Sequence, residues 1–360
     1  SKLPQRRPAH YPKPPPRITL PPVSHGRFDT PLQATLTGIK DLFRPQALAE
    51  ALTPDLRLEG RTCLVTGASS GLGFAIAKGL AARGARVLMV SRSGVPERAE
   101  DVARLTGSQR VEAFQCDLSD LEQVRVLADR LAERSERRGE PLDVVVENAG
   151  VASPRAKQTP QGLEAMFVTN YLAKFYLLRR LLADGTLPND TWAGNGAPAH
   201  RPEILFISSD SHQGASAIDW EDFGRYADFD VNKAINNYSY FKLVLNTYAV
   251  ELSRRFHQGD DVDVAVHAMC PGPVDTNIIR DAPPVLKGLM RGIFAVFFRA
   301  PDRAAEPAVY MCASPDFHTT TGRYLHMFNE KPMDAKVYDV AEGARLWERS
   351  EALLAGVGFG

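Results

Sequence analysis

Tyr238 and Lys242 are the pair of residues whose types and spacing most directly suggest chemistry. They lie four residues apart, so on a helix their side chains share one face. That face continues through Leu245, Ala249 and Leu252, which predicts a lysine buried on an apolar stripe. An ammonium held near a phenol favours the phenolate and lowers the tyrosine pKa toward the range of an acid–base catalyst. Taken alone, the pair has an alternative interpretation, a packing tyrosine beside a lysine whose ammonium reaches solvent.

Two further polar residues stand where a ligand could meet them. Ser209 follows a predicted strand, so its hydroxyl should lie at the carboxyl edge of the sheet, where open α/β folds bind ligands. There it could donate to a substrate carbonyl, and a turn or helix cap is the alternative. Asn170 occupies an apolar helical stripe with Phe167 and Leu177. A buried amide needs partners, so a structural hydrogen bond to the backbone is its alternative role.

A glycine-rich loop follows the first predicted strand, residues 62–66, and precedes an apolar helix. Glycines permit a tight turn and let a pyrophosphate approach the N–H groups at the helix start. A second strand completes the unit within about 30 residues, which is the context that a dinucleotide-binding motif requires. A purely structural turn is the alternative. The candidate binding residues in this loop are Gly67, Ser69, Ser70, Gly71, Leu72 and Gly73.

The end of the second predicted strand indicates which dinucleotide binds. Ser91 and Arg92 stand there, with Arg92 19 residues after Gly73. An acidic residue at this place would bind the 2′-hydroxyl of NAD, whereas an arginine can pair with a 2′-phosphate. The sequence therefore favours NADP(H) over NAD(H), and a solvated loop cation is the alternative.

The elements that must position these residues alternate between strand and helix from Arg61 onward. Short apolar strands separated by helices predict a parallel sheet covered on both faces. We expect one α/β domain, a Rossmann-type doubly wound parallel sheet of about seven strands, over residues 58–350, with a tail at 351–360. Strands are predicted at 62–66, 86–91, 111–116, 142–147, 203–208 and 262–269, and helices at 71–83, 96–105, 120–137, 162–184 and 233–256.

The N-terminal residues differ from this domain. Residues 1–31 hold nine of the 26 prolines and six basic residues, which predicts an extended arm. Residues 32–57 show apolar positions at helical spacing and predict a short amphipathic segment whose second helix carries Leu48 and Leu52. Three roles stay open for residues 1–57: contact with a protein, contact with a membrane surface, and a solvated tail.

Overall composition excludes several classes of function. The 43 basic and 43 acidic residues give zero net charge, which argues against a nucleic-acid binder. The longest apolar run, residues 293–298, is far shorter than the roughly 20 residues that span a bilayer. The four cysteines are far apart and the histidines form no metal-ligand pair, so we expect no metal site and a reducing, cytoplasmic compartment. These cysteines are Cys63, Cys116, Cys270 and Cys312.

Together these motifs resemble those of the short-chain dehydrogenases/reductases. The loop Thr66-Gly67-x-x-x-Gly71-x-Gly73 is similar to that family's nucleotide signature, and the resemblance covers roughly residues 58–350. The 29-residue separation of Ser209 and Tyr238 resembles the subgroup of retinol dehydrogenases and protochlorophyllide reductases. The other matching motifs, in order, are Asp117, Asn148-Ala149-Gly150, Asn170, Ser208-Ser209, Tyr238-x-x-x-Lys242 and Pro271-Gly272.

The resemblance implies a role for each catalytic candidate. Tyr238 would exchange a proton with the carbonyl oxygen, and Lys242 would lower its pKa and hold the nicotinamide ribose. Ser209 would polarise the carbonyl, and Asn170 would support a proton-relay water. The further cofactor contacts implied are Asp117 at the adenine, Asn148 beside the adenosine and Thr276 at the carboxamide, together with Leu118, Ala149, Gly150, Pro271, Gly272 and Val274.

The subgroup handles bulky apolar substrates, and the apolar segments 283–290 and 293–298 agree with an apolar lid. The alternatives for these segments are a helix packed on the core, a helix packed on a second subunit of a homodimer, and a helix at a lipid surface. We therefore expect an NADP(H)-dependent enzyme that interconverts a carbonyl and an alcohol on a retinoid-, steroid- or lipid-like molecule.

Two other functions stay open. One is reduction of a carbon–carbon double bond, as in the protochlorophyllide branch, and the other is a catalytically idle NADP(H)-binding scaffold docked through the N-terminal arm. One departure from the family pattern is Glu147, which stands where a second asparagine is usual before Asn148. We expect it to alter packing rather than to abolish activity.

Overall fold

The computed structural model describes residues 48, 50–196, 198, 200–229, 231–258, 261–272 and 300–360. Several predictions from the sequence lie outside these residues. They are the arm at 1–31, the first amphipathic helix, the cofactor contacts Val274 and Thr276, and the apolar segments 283–290 and 293–298.

Strands and helices alternate along the described chain as the sequence predicts. The strands are β1 (Thr62–Thr66), β2 (Arg86–Ser91), β3 (Val111–Gln115), β4 (Val144–Glu147), β5 (Glu203–Ile207), β6 (His257–Gln258), β7 (Asp261–Val262), β8 (Ala265–Cys270), β9 (Tyr324–His326) and β10 (Asn329–Glu330). The helices are α1 (Gly71–Ala82), α2 (Val95–Thr106), α3 (Leu121–Arg138), α4 (Ala165–Phe167), α5 (Ala173–Ala183), α6 (Val231–Arg255), α7 (Pro301–Ala313), α8 (Pro315–His318) and α9 (Val340–Gly356).

Eight of these strands form one sheet in the order β10-β9-β8-β5-β4-β1-β2-β3. All neighbours pair in parallel except β9 and β10, which are antiparallel at the edge. The chain winds from β1 out to β3 and then returns to β4 on the other side of β1. Because the winding direction changes there, the carboxyl ends of β1 and β4 flank the crevice in which such sheets bind ligands.

Two apolar cores cover the two faces of this sheet, which is why consecutive residues in the middle of β1, β2, β4 and β5 are apolar. One core packs α3, α5, α6 and α9 against the sheet, and the other packs α1, α2 and α7. The predicted fold class is confirmed. The helices pack on the sheet so that the carboxyl ends of its parallel strands lie at a common edge.

The structure departs from the predicted elements at three places. The predicted helix at 162–184 is interrupted, since a π-helical turn at Val168–Leu172 separates α4 from α5. In the second amphipathic segment, the described residues 50–57 contain turns at Glu50 and at Pro54–Asp55 and no helix. Helix α9 runs through the boundary expected at residue 350 and buries Leu354, so the tail packs on the domain.

The long segment between Ser209 and Tyr238 packs against the C-terminal helix. The indole N–H of Trp220 donates to Glu342 at 3.0 Å, and Arg349 donates to the Trp220 carbonyl at 2.9 Å. Phe223 contacts Phe167 edge-on, with ring centroids 5.1 Å apart. Helix α9 therefore supports the insertion that precedes α6.

Within the described ranges, no helix is long and apolar enough to cross a membrane. No cluster of three His, Cys, Asp or Glu side chains in that part of the chain could hold a metal ion. The four cysteines are buried and carry free thiols, as expected of reduced core residues.

Glu203 is a buried carboxyl at the amino end of β5. It is fully buried, and neither carboxyl oxygen has a hydrogen-bond partner among the described residues. The His318 ring nitrogen Nε2 lies 3.4 Å from Oε2. Burial raises the pKa of Glu203 to about 8, although the charge of Arg61 opposes the shift. The folded chain therefore retains a proton that the unfolded chain releases.

We predict that Glu203→Gln stabilises the protein, and more strongly at pH 8 than at pH 5.5. Since the folded pKa lies above the unfolded value of 4.5, wild-type stability falls as the pH rises from 4.5 toward 8. The amide carries no charge to desolvate, so the gain should reach about 1–3 kcal/mol at pH 8. Thermal unfolding at both pH values measures it, beside the exposed-site control Glu100→Gln. An equal change in Tm at both pH values would contradict the prediction.

Candidate active site

The glycine loop and the loop after β4 are joined by one side chain. Asn148 donates from Nδ2 to the carbonyl of Thr66 at 2.8 Å and to that of Gly67 at 3.3 Å. Gly67 has a φ of +67°, a conformation that favours glycine. A Cβ on Gly73 would overlap the Gly67 carbonyl and the Asn148 amide. The backbone therefore forms a close cradle at the start of α1, the geometry that accepts a pyrophosphate.

A cleft of about 590 Å³ opens above this cradle at the carboxyl ends of β1, β2, β4 and β5. Most predicted site residues line it, whereas Asn170, Ser209 and Gly272 do not. The predicted residues in its wall are Gly67, Ser69, Ser70, Gly71, Leu72, Gly73, Ser91, Arg92, Asp117, Leu118, Asn148, Ala149, Gly150, Tyr238, Lys242 and Pro271. Unpredicted residues there include Ser93, Ser119, Lys157, Gln158, Glu164, Met166, Thr169 and Ser208.

Hydroxyl and guanidinium groups gather at the β2 end of the cleft. The Ser69 and Ser91 hydroxyls are 2.8 Å apart. The Arg92 side chain is 58% exposed, with its guanidinium 4.0 Å from the Asp117 carboxylate. Sequence reasoning missed Arg98, whose Nε donates to the Ser69 carbonyl at 3.2 Å from the first turn of α2. An exposed cation beside two hydroxyls suits a phosphate group.

Tyr238 and Lys242 face the same cleft from α6. The Lys242 ammonium is buried, donates to the Ile207 carbonyl at 2.8 Å and lies 5.5 Å from the Tyr238 ring centroid. Burial, together with the nearby charge of Lys174, lowers the pKa of Lys242 to about 7. Burial raises the pKa of Tyr238, opposite to the lowering that the sequence suggests, and the nearby Cys270 adds to the rise.

Asn170 and Ser209 take other positions. Asn170 uses both amide atoms on the backbone of Val151, accepting from its N–H at 2.8 Å and donating to its carbonyl at 2.9 Å. The Ser209 hydroxyl accepts from the N–H of Ser211 at 3.2 Å and caps a 3₁₀ turn. Its neighbour Ser208 reaches the cleft wall instead, and its buried hydroxyl has no partner among the described residues. Asn170 therefore makes the structural hydrogen bonds to the backbone, and Ser209 the turn cap, that were their alternative roles.

Sequence reasoning also missed Lys174 and His212. Lys174 is buried on α5 and donates to the Ala149 carbonyl at 2.6 Å. His212 is buried behind Ser209, with Nδ1 2.7 Å from the Ser209 carbonyl. The signal for Lys174 was available, since it stands within an apolar helical stripe just as Lys242 does.

Known proteins share these features. Residues 61–194 match the family model described as short chain dehydrogenase. Over 337 residues the chain is 30% identical to retinol dehydrogenase 13 of Mus musculus, covering 91% of this chain and 94% of that protein. This chain belongs to the short-chain dehydrogenase/reductase family. It is therefore an oxidoreductase that acts on CH–OH and carbonyl groups, and the predicted family and its retinol dehydrogenase-like subgroup are confirmed.

Two further similarities extend this result. The chain is 26% identical over 292 residues to polyprenol dehydrogenase of Homo sapiens, covering 81% of this chain and 84% of that protein. The structure described as an active-site complex of Pseudomonas aeruginosa RhlG with NADP aligns at a TM-score of 0.54 and 25% identity. That alignment covers 76% of this chain and 97% of the other.

We predict that Gly73→Ala weakens binding of both NADH and NADPH by about 30-fold or more, because the new methyl group displaces the Gly67 carbonyl at a cost of ~2 kcal/mol. Titration of cofactor fluorescence measures binding, and circular dichroism checks that the variant is folded. Gly356→Ala is the matched control, since a Cβ there meets no atom within 4 Å. Unchanged affinity in a folded Gly73→Ala variant would contradict the assignment of the loop to the cofactor.

Proposed function

We propose that the protein is an NADP(H)-dependent oxidoreductase that interconverts an alcohol and a carbonyl group on a bulky apolar substrate. The observation that carries the proposal is the shared cleft. Its wall contains the glycine cradle at one part and the side chains of Tyr238 and Lys242 at another. A dinucleotide and a small reacting group can therefore meet in one space, with a phenol beside them.

Arg92 supports NADP(H) as the cofactor. Its exposed guanidinium stands at the end of β2, where a ribose 2′-phosphate is recognised in such folds. Ser69 and Ser91 add hydroxyl groups at this place. When bound, the cofactor supplies or accepts a hydride, and its orientation depends on the cradle formed by Gly67 and Gly73.

The residues of the chain handle the proton. In carbonyl reduction, Tyr238 donates its phenolic proton to the carbonyl oxygen, and in alcohol oxidation it accepts that proton back. A cation at Lys242 stabilises the phenolate that remains. A serine hydroxyl polarises the carbonyl, and the resemblance assigns this role to Ser209, while the cleft wall contains Ser208. Asn170 holds the loop at Val151 in place.

An apolar alcohol or aldehyde is the substrate class that the cleft and the relatives favour. Apolar side chains of Val151, Ala152, Met166 and Ile207 line the same cleft as the catalytic pair. Relatives carry the names retinol dehydrogenase and polyprenol dehydrogenase, and both named alcohols are long apolar molecules with a single hydroxyl group. Most of the binding free energy of such a substrate would come from apolar burial.

We predict that Tyr238→Phe lowers turnover at least about 100-fold and leaves NADPH affinity within about twofold, because the ring stays while the proton is lost. The measurement is NADPH oxidation against apolar aldehydes and ketones, with binding titrated separately. Tyr240→Phe is the control, since that phenol bonds to the Asp219 backbone. Tight NADPH binding without wild-type turnover on any carbonyl would contradict the proposal, and product analysis with an enone would then test carbon–carbon double-bond reduction.

We predict that Arg92→Ala lowers the ratio of kcat/KM with NADPH to kcat/KM with NADH by about 10- to 100-fold, because the 2′-phosphate loses a charge-assisted hydrogen bond. Activity with NADH should change little. Arg104→Ala is the control, since this arginine on α2 pairs with Asp101 at the surface. An unchanged ratio would show that Arg92 is only a solvated cation.

A further inference from the structure

Glu147 at the end of β4 is a fully buried carboxyl group beneath the cleft. The Thr66 hydroxyl donates to its Oε2 atom at 2.9 Å. The other oxygen, Oε1, is buried without a hydrogen-bond partner among the described residues. A carboxylate in this setting requires a compensating charge, because desolvation penalises it strongly.

Lys174 provides that charge from α5. Its ammonium lies 3.5 Å from Glu147 Oε2, and the side chains are 1% and 0% exposed. Burial lowers the pKa of Lys174, while the charge of Glu147 raises it. The two groups form a buried ion pair that the sequence motifs of the family do not account for.

The pair holds one residue of the loop after β4. Lys174 donates to the Ala149 carbonyl at 2.6 Å, and the Ala149 N–H donates to the Thr66 hydroxyl at 3.1 Å. Both backbone groups of Ala149 are thus bound by side chains that contact Glu147. Asn170 holds both backbone groups of Val151 in the same way. The loop that lines the cleft is therefore fixed from below at two residues.

The ammonium of Lys242 lies against the same loop. A Cβ built on Gly150 would be 3.8 Å from Lys242 Nζ and 3.1 Å from Asn170 Oδ1. Since Lys174 contacts the carbonyl of Ala149, two buried ammonium groups flank neighbouring residues of one loop. Little solvent separates their charges, so each one affects the other.

We propose that Glu147 and Lys174 are positioning residues for the proposed reaction: they hold Ala149 in place and set the electrostatic potential at Lys242 and Tyr238. The inference rests on the proposed function. The two charges have opposite signs, so Glu147 offsets part of the effect that Lys174 has on Lys242 while both are present. When one of them is removed, the charge of the other remains uncompensated next to the catalytic lysine.

The direction of each effect follows from this charge balance. Glu147→Gln leaves the Lys174 cation unopposed, which should lower the pKa of both Lys242 and Tyr238. Lys174→Met leaves the Glu147 anion unopposed, which should raise both. Because both groups of the catalytic pair shift in the same direction, their coupled titration does not obscure the sign.

Other titratable groups face this site. Tyr238 on α6 and Cys270 on β8 face Lys242, and Cys270 affects its pKa. Burial raises the pKa of Tyr248 on α6 and raises that of Cys116 after β3 to about 12, so both stay neutral beside Glu147 near pH 7. Glu147 and Lys174 are therefore the charges whose removal the experiment can isolate.

The test compares wild type, Glu147→Gln, Lys174→Met and the double variant through the pH profile of kcat/KM with NADPH. We expect the apparent pKa to fall by about one unit in Glu147→Gln and to rise by about one unit in Lys174→Met. The apparent pKa of the double variant should lie between those of the two single variants. Lys174→Arg keeps the charge and should keep the wild-type profile.

A second readout separates this inference from the proposed function. Protein labelled with [13Cε]lysine reports the titration of Lys242 directly, and its resonance is the one lost in Lys242→Met. This titration needs no turnover, so it decides the inference even if no substrate is found. Lys78→Met is the matched control, since that lysine pairs with Asp302 on the surface.

Opposite shifts in the two single variants, with the double variant between them, would support the inference. Lower stability or lower kcat without any shift in the Lys242 titration would overturn it, because the pair would then be only structural. If Lys174→Met fails to fold, Glu147→Gln and the double variant decide the test, because each of them contains fewer buried charges than wild type. An unshifted Lys242 titration in Glu147→Gln overturns the inference by itself.

Discussion

The side chain of Asn148 joins two loops that are far apart in sequence and adjacent at the edge of the sheet. It donates to the carbonyls of Thr66 and Gly67, which brings the loop after β4 against the loop after β1. This contact exists because β1 and β4 are neighbours at the point where the winding of the sheet changes direction. The cradle for a pyrophosphate and the floor beneath the catalytic pair both depend on it.

Burial controls the electrostatics of the site. Lys242, Lys174 and Glu147 are each almost completely removed from water, and burial also raises the pKa of Tyr238. In such surroundings a charge depends on its nearest partners, because water screens it only weakly. The carboxyl of Glu147 and the ammonium of Lys174 stabilise each other, whereas the ammonium of Lys242 donates to the neutral carbonyl of Ile207. A cofactor bound in the cleft would add a further neighbour to these groups.

The C-terminal helix and the insertion before α6 support each other. Phe223 of the insertion contacts Phe167, and Trp220 of the insertion donates to Glu342 on α9. The π-helical turn at Val168–Leu172 begins directly after Phe167 and brings Asn170 to the backbone of Val151. The part of the cleft wall formed by Val151 and Met166 is thus supported by residues from the centre and the end of the chain.

The sequence by itself determined the fold class, the glycine loop and the pairing of Tyr238 with Lys242. These depend on local rules: strand and helix periodicity, the conformational freedom of glycine, and the i, i+4 spacing of a helix face. The bounds of β1 and β2 agree with the prediction because each strand has an apolar centre between polar residues at its two ends. Arg92 was found in the same way, since it follows a strand, whereas Asp117 came from the family resemblance.

The partners of the buried polar groups were decided only by the tertiary structure. Asn170 could have supported a water or bonded to the backbone, and the structure shows both amide atoms on Val151. Glu147 gave no signal beyond its departure from the family pattern, and Lys174 stands 27 residues further along the chain. Hydrogen bonds and ion pairs of this kind join residues whose proximity depends on how helices pack on the sheet, and no periodicity within one segment records that packing.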